Sequence, residues 1–155
     1  MCGIIGIQNN SEAATLAYMG LYAQQHRGQE GAGVVSSDGT VLHRHMGQGL
    51  VADVFSDSAV FDSLIGDSAI GHVRYSTTGN SDPKNVGPLT FNMGDYSLSI
   101  AHNGNLVNID EIRKELQENG TLFQTSTDTE IIIHLIAKEK GKTLADKLEK
   151  VLQKI

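Results

Sequence analysis

Cys2 is the only cysteine of the 155-residue chain and stands directly behind the initiator methionine. Its small side chain permits removal of Met1, which would leave a thiol and a free α-amine on one residue. A free amine titrates near ~7.7–8.0 and a thiol near ~8.5, so at neutral pH part of the amine is unprotonated and can take the thiol proton. Nucleophile and base would then be one residue, a variant of the N-terminal-amine activation of threonine nucleophiles. The competing reading is an ordinary cysteine that opens a core strand.

Further polar stretches could share in such chemistry. The run Gln24-Gln25-His26-Arg27-Gly28-Gln29-Glu30-Gly31-Ala32-Gly33 leads from a helix into a strand, the reverse of a dinucleotide fingerprint. Its G-x-x-G-x-G spacing rules out the dinucleotide and P-loop readings alike. The apolar run Ala69-Ile70-Gly71-His72-Val73 turns abruptly polar at Arg74-Tyr75-Ser76-Thr77, and such a strand end is a good place for a binding site. Asn103-Gly104 follows an alternating segment and on local grounds is a hairpin turn. Asp128 lies in the first turn of a predicted helix, where a carboxylate contributes about 0.3–1 kcal/mol against the helix dipole. His43 and His45 share a strand face, but without a third ligand they are more often exposed than metal-bound.

The elements that must position these residues follow from periodicity. Residues 4–7 predict a buried strand that pins the N-terminus. Ser11 predicts the N-cap of a helix running to about Gln25, with Leu16, Tyr18, Leu21 and Tyr22 as its apolar face. A hairpin joins residues 34–36 and 40–46 through Ser37-Asp38-Gly39, and a short helix over 59–65 stops at Gly66. Strands are predicted at 69–79 and 96–102, with a loop over 79–84 between them. Asn108 with Glu111 predicts a capping box, residues 121–125 a short strand, Thr127 with Glu130 a second capping box, and Thr143 the start of a last amphipathic helix.

Composition narrows the class. This length suits one domain with a real core. A net charge of −6 without a basic run argues against nucleic acid, and no apolar stretch is long enough to span a membrane. One cysteine cannot build a disulfide framework, and no signal peptide is recognisable, so the cytoplasm is the default location. Many of the 17 glycines stand beside His, Arg or Asn, as expected where backbone approaches a ligand.

Together, Cys2, Arg27-Gly28, His72-Val73-Arg74-Tyr75-Ser76-Thr77, His102-Asn103-Gly104-Asn105 and Ser126-Thr127-Asp128-Thr129-Glu130 resemble the N-terminal-nucleophile glutaminase domain of class II glutamine amidotransferases. The resemblance covers nearly the whole chain. It implies an α+β fold, a four-layer αββα sandwich truncated at its C-terminus, with further strands beyond Ile155. It implies that Cys2 attacks the side-chain amide of L-glutamine, while Asn103 and Gly104 supply the oxyanion donors. By the same resemblance Arg74 and Thr77 take the substrate α-carboxylate, Asp128 takes its α-ammonium, and Arg27, Gly28 and Tyr75 line the nucleophile. His26, His72 and His102 remain scaffold residues.

The segment would need no cofactor and no metal. Its implied partner is a phosphoribosyltransferase domain of the same parent chain, which would use Mg2+ and the released ammonia to convert phosphoribosyl pyrophosphate to 5-phosphoribosylamine. That parent is expected to be a homo-oligomer. Two alternatives stay open: an amino-sugar synthase of the same class, which typically has tryptophan where Tyr75 stands, and a non-catalytic glutamine-binding module.

Overall fold

In the computed structural model, which describes residues 1–75 and 82–155, the apolar run behind Cys2 forms β1 (Gly3–Ile7). It pairs antiparallel with β4 (Ser68–Arg74), which pairs on its other side with β2 (Gly31–Ser37), and β2 with β3 (Leu42–Gln48). The sheet order is β1-β4-β2-β3. In register, Ile5, Gly71 and Val34 lie side by side, as do Gly3, Val73 and Ala32. This face packs against α1 (Ala13–Ala23), where Ala13, Ala17 and Leu21 are fully buried. Alanines let the helix axis come close to the sheet. The larger Tyr18 sits at the flank, with its ring 5.5 Å from Phe55 and 5.4 Å from Phe61. Those two rings follow α2 (Val51–Val54) and lie within α3 (Val60–Ser63).

β1 differs from the buried strand predicted for it. Among the described residues it lies at the edge of the sheet, and Ile4, whose side chain points to the face opposite α1, is 45% exposed. An apolar run of this length does not distinguish an edge from a centre. α1 is also shorter than predicted: Glu12 occupies the N-cap position without a side-chain bond, and Asn10 Oδ1 accepts from the Glu12 N–H at 2.9 Å. Residues Gln25–Arg27 form a separate 3₁₀ turn.

A second sheet pairs β5 (Leu89–Asn92) with β6 (Ser97–Ile100). No strand follows β6 among the described residues, so Asn103-Gly104 is not a hairpin turn. Residues Met1–Asn103 make one compact unit and Gly104–Ile155 a second.

The second unit has three helices among its described elements: α4 (Ile109–Glu118), α5 (Asp128–Lys138) and α6 (Leu144–Leu152). α5 carries Ile131, Ile132, Ile133 and Ile136, all buried, and packs on both α4 and α6. The predicted strand at 121–125 is absent, because the N–H groups of Gln124 and Thr125 go to the Glu130 carboxylate at 2.8 and 2.7 Å instead of to a ladder. For the same reason Thr127 and Glu130 form no capping box. The Asn108 box is missing too: its side chain makes no cap bond, and Asn108 Nδ2 instead donates to the Lys154 carbonyl at 2.8 Å. A true capping box does form between Thr143 and Asp146 at the start of α6.

Candidate active site

Cys2 precedes β1, and the β1–β4 register carries it to the end of β4. There the Tyr75 N–H points to Cys2 Sγ at 3.4 Å, and the Tyr75 carbonyl lies 3.6 Å from the same sulfur. Arg27 Nε donates to the Cys2 carbonyl at 3.0 Å, so the residue is held from a second element. The turn that brings Arg27 there is braced by Gln25, whose Oε1 accepts from the Val51 N–H at 2.6 Å while its Nε2 donates to the Gly28 carbonyl. A side chain at Gly28 would place Cβ 2.6 Å from the Arg74 carbonyl oxygen; only glycine fits. Cys2, Arg27, Gly28, Arg74 and Tyr75 are thus brought together in one neighbourhood. The cleft lined by Gly6, Ile7, Val35, Leu42, Ile70 and Ser99 lies at the far end of the same sheet and has no charged residue or nucleophilic cysteine.

Arg74 closes the central strand β4. Its Nη1 donates to the Asn85 carbonyl at 3.1 Å, and its Nε is 3.7 Å from Glu30 Oε2, an ion pair longer than a hydrogen bond. The Glu30 N–H returns to the Arg74 carbonyl at 3.2 Å. The guanidinium is thereby oriented from two sides. Neither Glu30 nor Asn85 stood out in the sequence as a site residue, because their contacts run across the fold.

His72 sits two residues earlier, 6% exposed. Burial, followed by the charges of Arg74 and His102, pushes its imidazole down to about 4, so it is neutral at neutral pH. Its ring lies against Gly87, whose hypothetical Cβ would be 3.0 Å from Nδ1. His43 and His45 do not converge: His43 Nε2 faces Asp38 at 3.2 Å and His45 Nε2 faces the Val54 carbonyl at 2.8 Å. Among the described residues no group of three His, Cys, Asp or Glu side chains could hold a metal ion.

Asn103 is the last residue of the first unit, and Gly104 opens the second. In the second unit, Asp128 begins α5 and its Oδ2 accepts from the Leu106 N–H at 3.1 Å. The carboxylate therefore ties the start of α5 to the segment just after Gly104. Behind it Glu130 is fully buried and yet ionised. Burial alone would raise its pKa, but the Gln124 N–H, the Thr125 hydroxyl and N–H, and His134 outweigh that and hold it below the ordinary carboxylate value. Thr77, with the rest of residues 76–81, lies outside the described residues.

The description of a glutamine amidotransferase domain matches residues 56–151. An amidophosphoribosyltransferase of Lacticaseibacillus casei is 41% identical over 154 residues, covering 99% of this chain and 79% of that relative. The chain belongs to the amidophosphoribosyltransferase family of glutamine amidotransferases. Chloroplastic amidophosphoribosyltransferase 2 of Arabidopsis thaliana is 54% identical over 142 residues. A solved structure of the allosteric regulatory enzyme of purine biosynthesis superposes with a TM-score of 0.93 at 44% identity, covering 99% of this chain and 33% of that one. The glutamine phosphoribosylpyrophosphate amidotransferase from B. subtilis, complexed with ADP and GMP, gives a TM-score of 0.90 at 43% identity. These likenesses carry the α+β fold with its antiparallel sheets. The amidotransferase chain spans about a quarter of the length of the first curated relatives, 25% and 26%. Arg74, Tyr75, Asn103, Gly104 and Asp128 fall inside the matched domain description, whereas Cys2, Arg27 and Gly28 precede it.

No helix among the described residues is long and apolar enough to cross a membrane.

Proposed function

We propose that this chain is a glutaminase that works through the Cys2 thiol. Once Met1 is removed, the α-amine of Cys2 takes the thiol proton and the sulfur attacks the side-chain carbonyl carbon of L-glutamine. The oxyanion that forms is stabilised by the Asn103 side-chain amide and the Gly104 N–H. Removing one such donor generally costs ~10²–10³ in rate. The amine then delivers its proton to the leaving nitrogen, the C–N bond breaks, and ammonia departs from a thioester. Water attacks the thioester, releases glutamate and restores the thiol.

Substrate recognition uses a cation and an anion. Arg74 meets the α-carboxylate with its planar fork, assisted by Thr77, and Asp128 meets the α-ammonium. Requiring both selects a free amino acid over a peptide. Arg27, Gly28 and Tyr75 line and hold the nucleophile.

In the parent protein the ammonia passes to a phosphoribosyltransferase domain, which uses Mg2+ to make 5-phosphoribosylamine from phosphoribosyl pyrophosphate at the entry to purine synthesis. The names of the relatives support this part. We further assign the protein to the cytoplasm as a homo-oligomer, with neither nucleic acid nor a membrane as partner and no cofactor in this segment.

The observation that carries the reading is the position of Cys2. Its sulfur faces the Tyr75 N–H at 3.4 Å and its carbonyl is clamped by Arg27 at 3.0 Å, so a residue one place from the chain end does not fray. The test is intact mass before and after treatment with a diazoketone mimic of glutamine. Loss of Met1 and one adduct mapped to Cys2, blocked by excess glutamine, is the expected result; loss of Met1 without an adduct would sink it. Cys2→Ala separates an enzyme from a glutamine-binding module, since binding survives in both while ammonia release is abolished only in the enzyme.

A further inference from the structure

Asp128 is delivered by a segment, residues 123–127, that has no backbone ladder of its own. What fixes that segment is a set of side chains with no assigned role. On one side the buried Glu130 carboxylate accepts from the Gln124 N–H at 2.8 Å, the Thr125 N–H at 2.7 Å and the Thr125 hydroxyl at 2.7 Å. On the other side Arg113, from α4, donates through Nη2 to the Thr127 carbonyl at 3.0 Å and through Nη1 to the Thr125 carbonyl at 3.5 Å. The guanidinium also lies 4.2 Å from the centroid of the Phe123 ring. That ring meets His134 edge-on at 4.9 Å.

The hydrogen-bond directions are forced. An ionised Glu130 can only accept, so the Thr125 hydroxyl must donate to it and its oxygen is left to accept from Thr127. The Thr127 hydroxyl lies 3.0 Å from Thr125 Oγ1, and the Thr127 N–H points to the same oxygen at 3.3 Å. The constraint therefore passes from Glu130 through Thr125 to the residue immediately before Asp128. Arg113 grips the carbonyls of the same two residues. With Oδ2 of Asp128 on the Leu106 N–H, the carboxylate has little freedom to turn.

We propose that Arg113 and Glu130 are positioning residues for the Asp128 carboxylate, acting through Thr125 and Thr127, and thereby set how selectively the protein recognises an α-ammonium group. The inference rests on the ammonium-binding role given to Asp128 above. Neither residue touches substrate. Their effect is to keep one anionic oxygen arrangement in place before the ligand arrives, so that binding does not have to order the turn.

The test compares glutamine with glutaramate, which keeps the amide and carboxylate but lacks the α-amino group, using the full chain. The quantity read is the ratio of kcat/KM for the two substrates, with Asp128→Asn as reference. If Asp128 binds the ammonium, Asp128→Asn collapses that ratio. Arg113→Met is then expected to raise KM for glutamine about tenfold with kcat nearly unchanged, while glutaramate is hardly affected, as for loss of one charge-assisted contact. Arg113→Lys should recover part of the ratio. Thr125→Val, which removes the relaying hydroxyl without changing the shape of the side chain, should move the ratio the same way by a smaller factor and decides the matter if Arg113→Met fails to fold. Equal loss on both substrates, or an unchanged ratio in Arg113→Met and Thr125→Val, overturns the positioning role. An unchanged ratio in Asp128→Asn overturns the assignment of Asp128 itself, a separate failure.

Discussion

In the first unit Arg74 ends a strand that is hydrogen-bonded on both sides, to β1 and to β2, whereas in the second unit Asp128 follows a segment without a ladder and is held by buried side chains. One charged group inherits its place from backbone pairing. Glu30 and the Asn85 carbonyl only trim its orientation. The other depends on a carboxylate with zero exposure and on a guanidinium that crosses from a neighbouring helix. The difference predicts where each unit is fragile. A ladder spreads its constraint over many equivalent bonds, while a polar cluster concentrates it in a few groups whose removal leaves buried donors unpaired.

The largest effect should therefore come from Glu130→Gln. A neutral amide offers one acceptor oxygen, and its NH2 would face a donor that Glu130 now satisfies, so unfolding stability should drop by on the order of 3 kcal/mol. Denaturant melts would measure it, and a loss below about 1 kcal/mol would break the comparison, because it would mean that backbone contacts hold the segment after all.

A change of similar size should come from acid, and it separates the units by pH. His72 has its folded pKa lowered from 6.5 to about 4. For a histidine depressed in this way the unfolded state binds more protons between the two values, so its contribution is present above pH 6.5 and is lost as pH falls toward about 4, amounting to roughly 3 kcal/mol. Glu130 is also depressed, but from 4.5, so its contribution is intact above that pH and is lost only as pH falls further. Amide exchange should then show β2 and β4 loosening first between pH 6.5 and 4, with α5 protected until more acidic conditions. His72→Asn should flatten the upper limb. Simultaneous loosening of both units from pH 6.5 would contradict the assignment.

The same contrast explains what could be read from the sequence. The strands that carry Cys2 and Arg74 announce themselves by apolar runs, since register and burial are written in the side-chain period. Cys2, Arg27, Gly28, Arg74 and Tyr75 were legible as candidates, and the structure brings them together. The partial exposure of β1 among the described residues was not legible, because a short apolar run fits a half-covered strand and a buried one equally well. In the second unit the pattern misled. Thr127 and Glu130 have the spacing of a capping box, and residues 121–125 have strand composition, yet Glu130 turns back to Gln124 and Thr125 and removes the donors that either element would need. Arg113 lies fourteen residues from Thr127, and no local period links them. Asn108 likewise leaves its own helix for Lys154 at the end of the chain.

The smallest predicted effect tests the other half of the comparison. If Arg74 takes its place from the ladder, Glu30→Gln should cost only about 1 kcal/mol of stability, because the 3.7 Å pair is longer than a hydrogen bond and a neutral amide still turns an oxygen toward the guanidinium. Its consequence should appear in binding. Glu30 now faces Nε, and without that charge the guanidinium fork is free to tilt about its contact with the Asn85 carbonyl. KM for glutamine should then rise a few-fold with kcat held, the mark of a lost binding contact. A large stability loss in Glu30→Gln would show that Arg74, like Asp128, is held by side chains, and the two units would no longer differ in the way their charged groups are fixed.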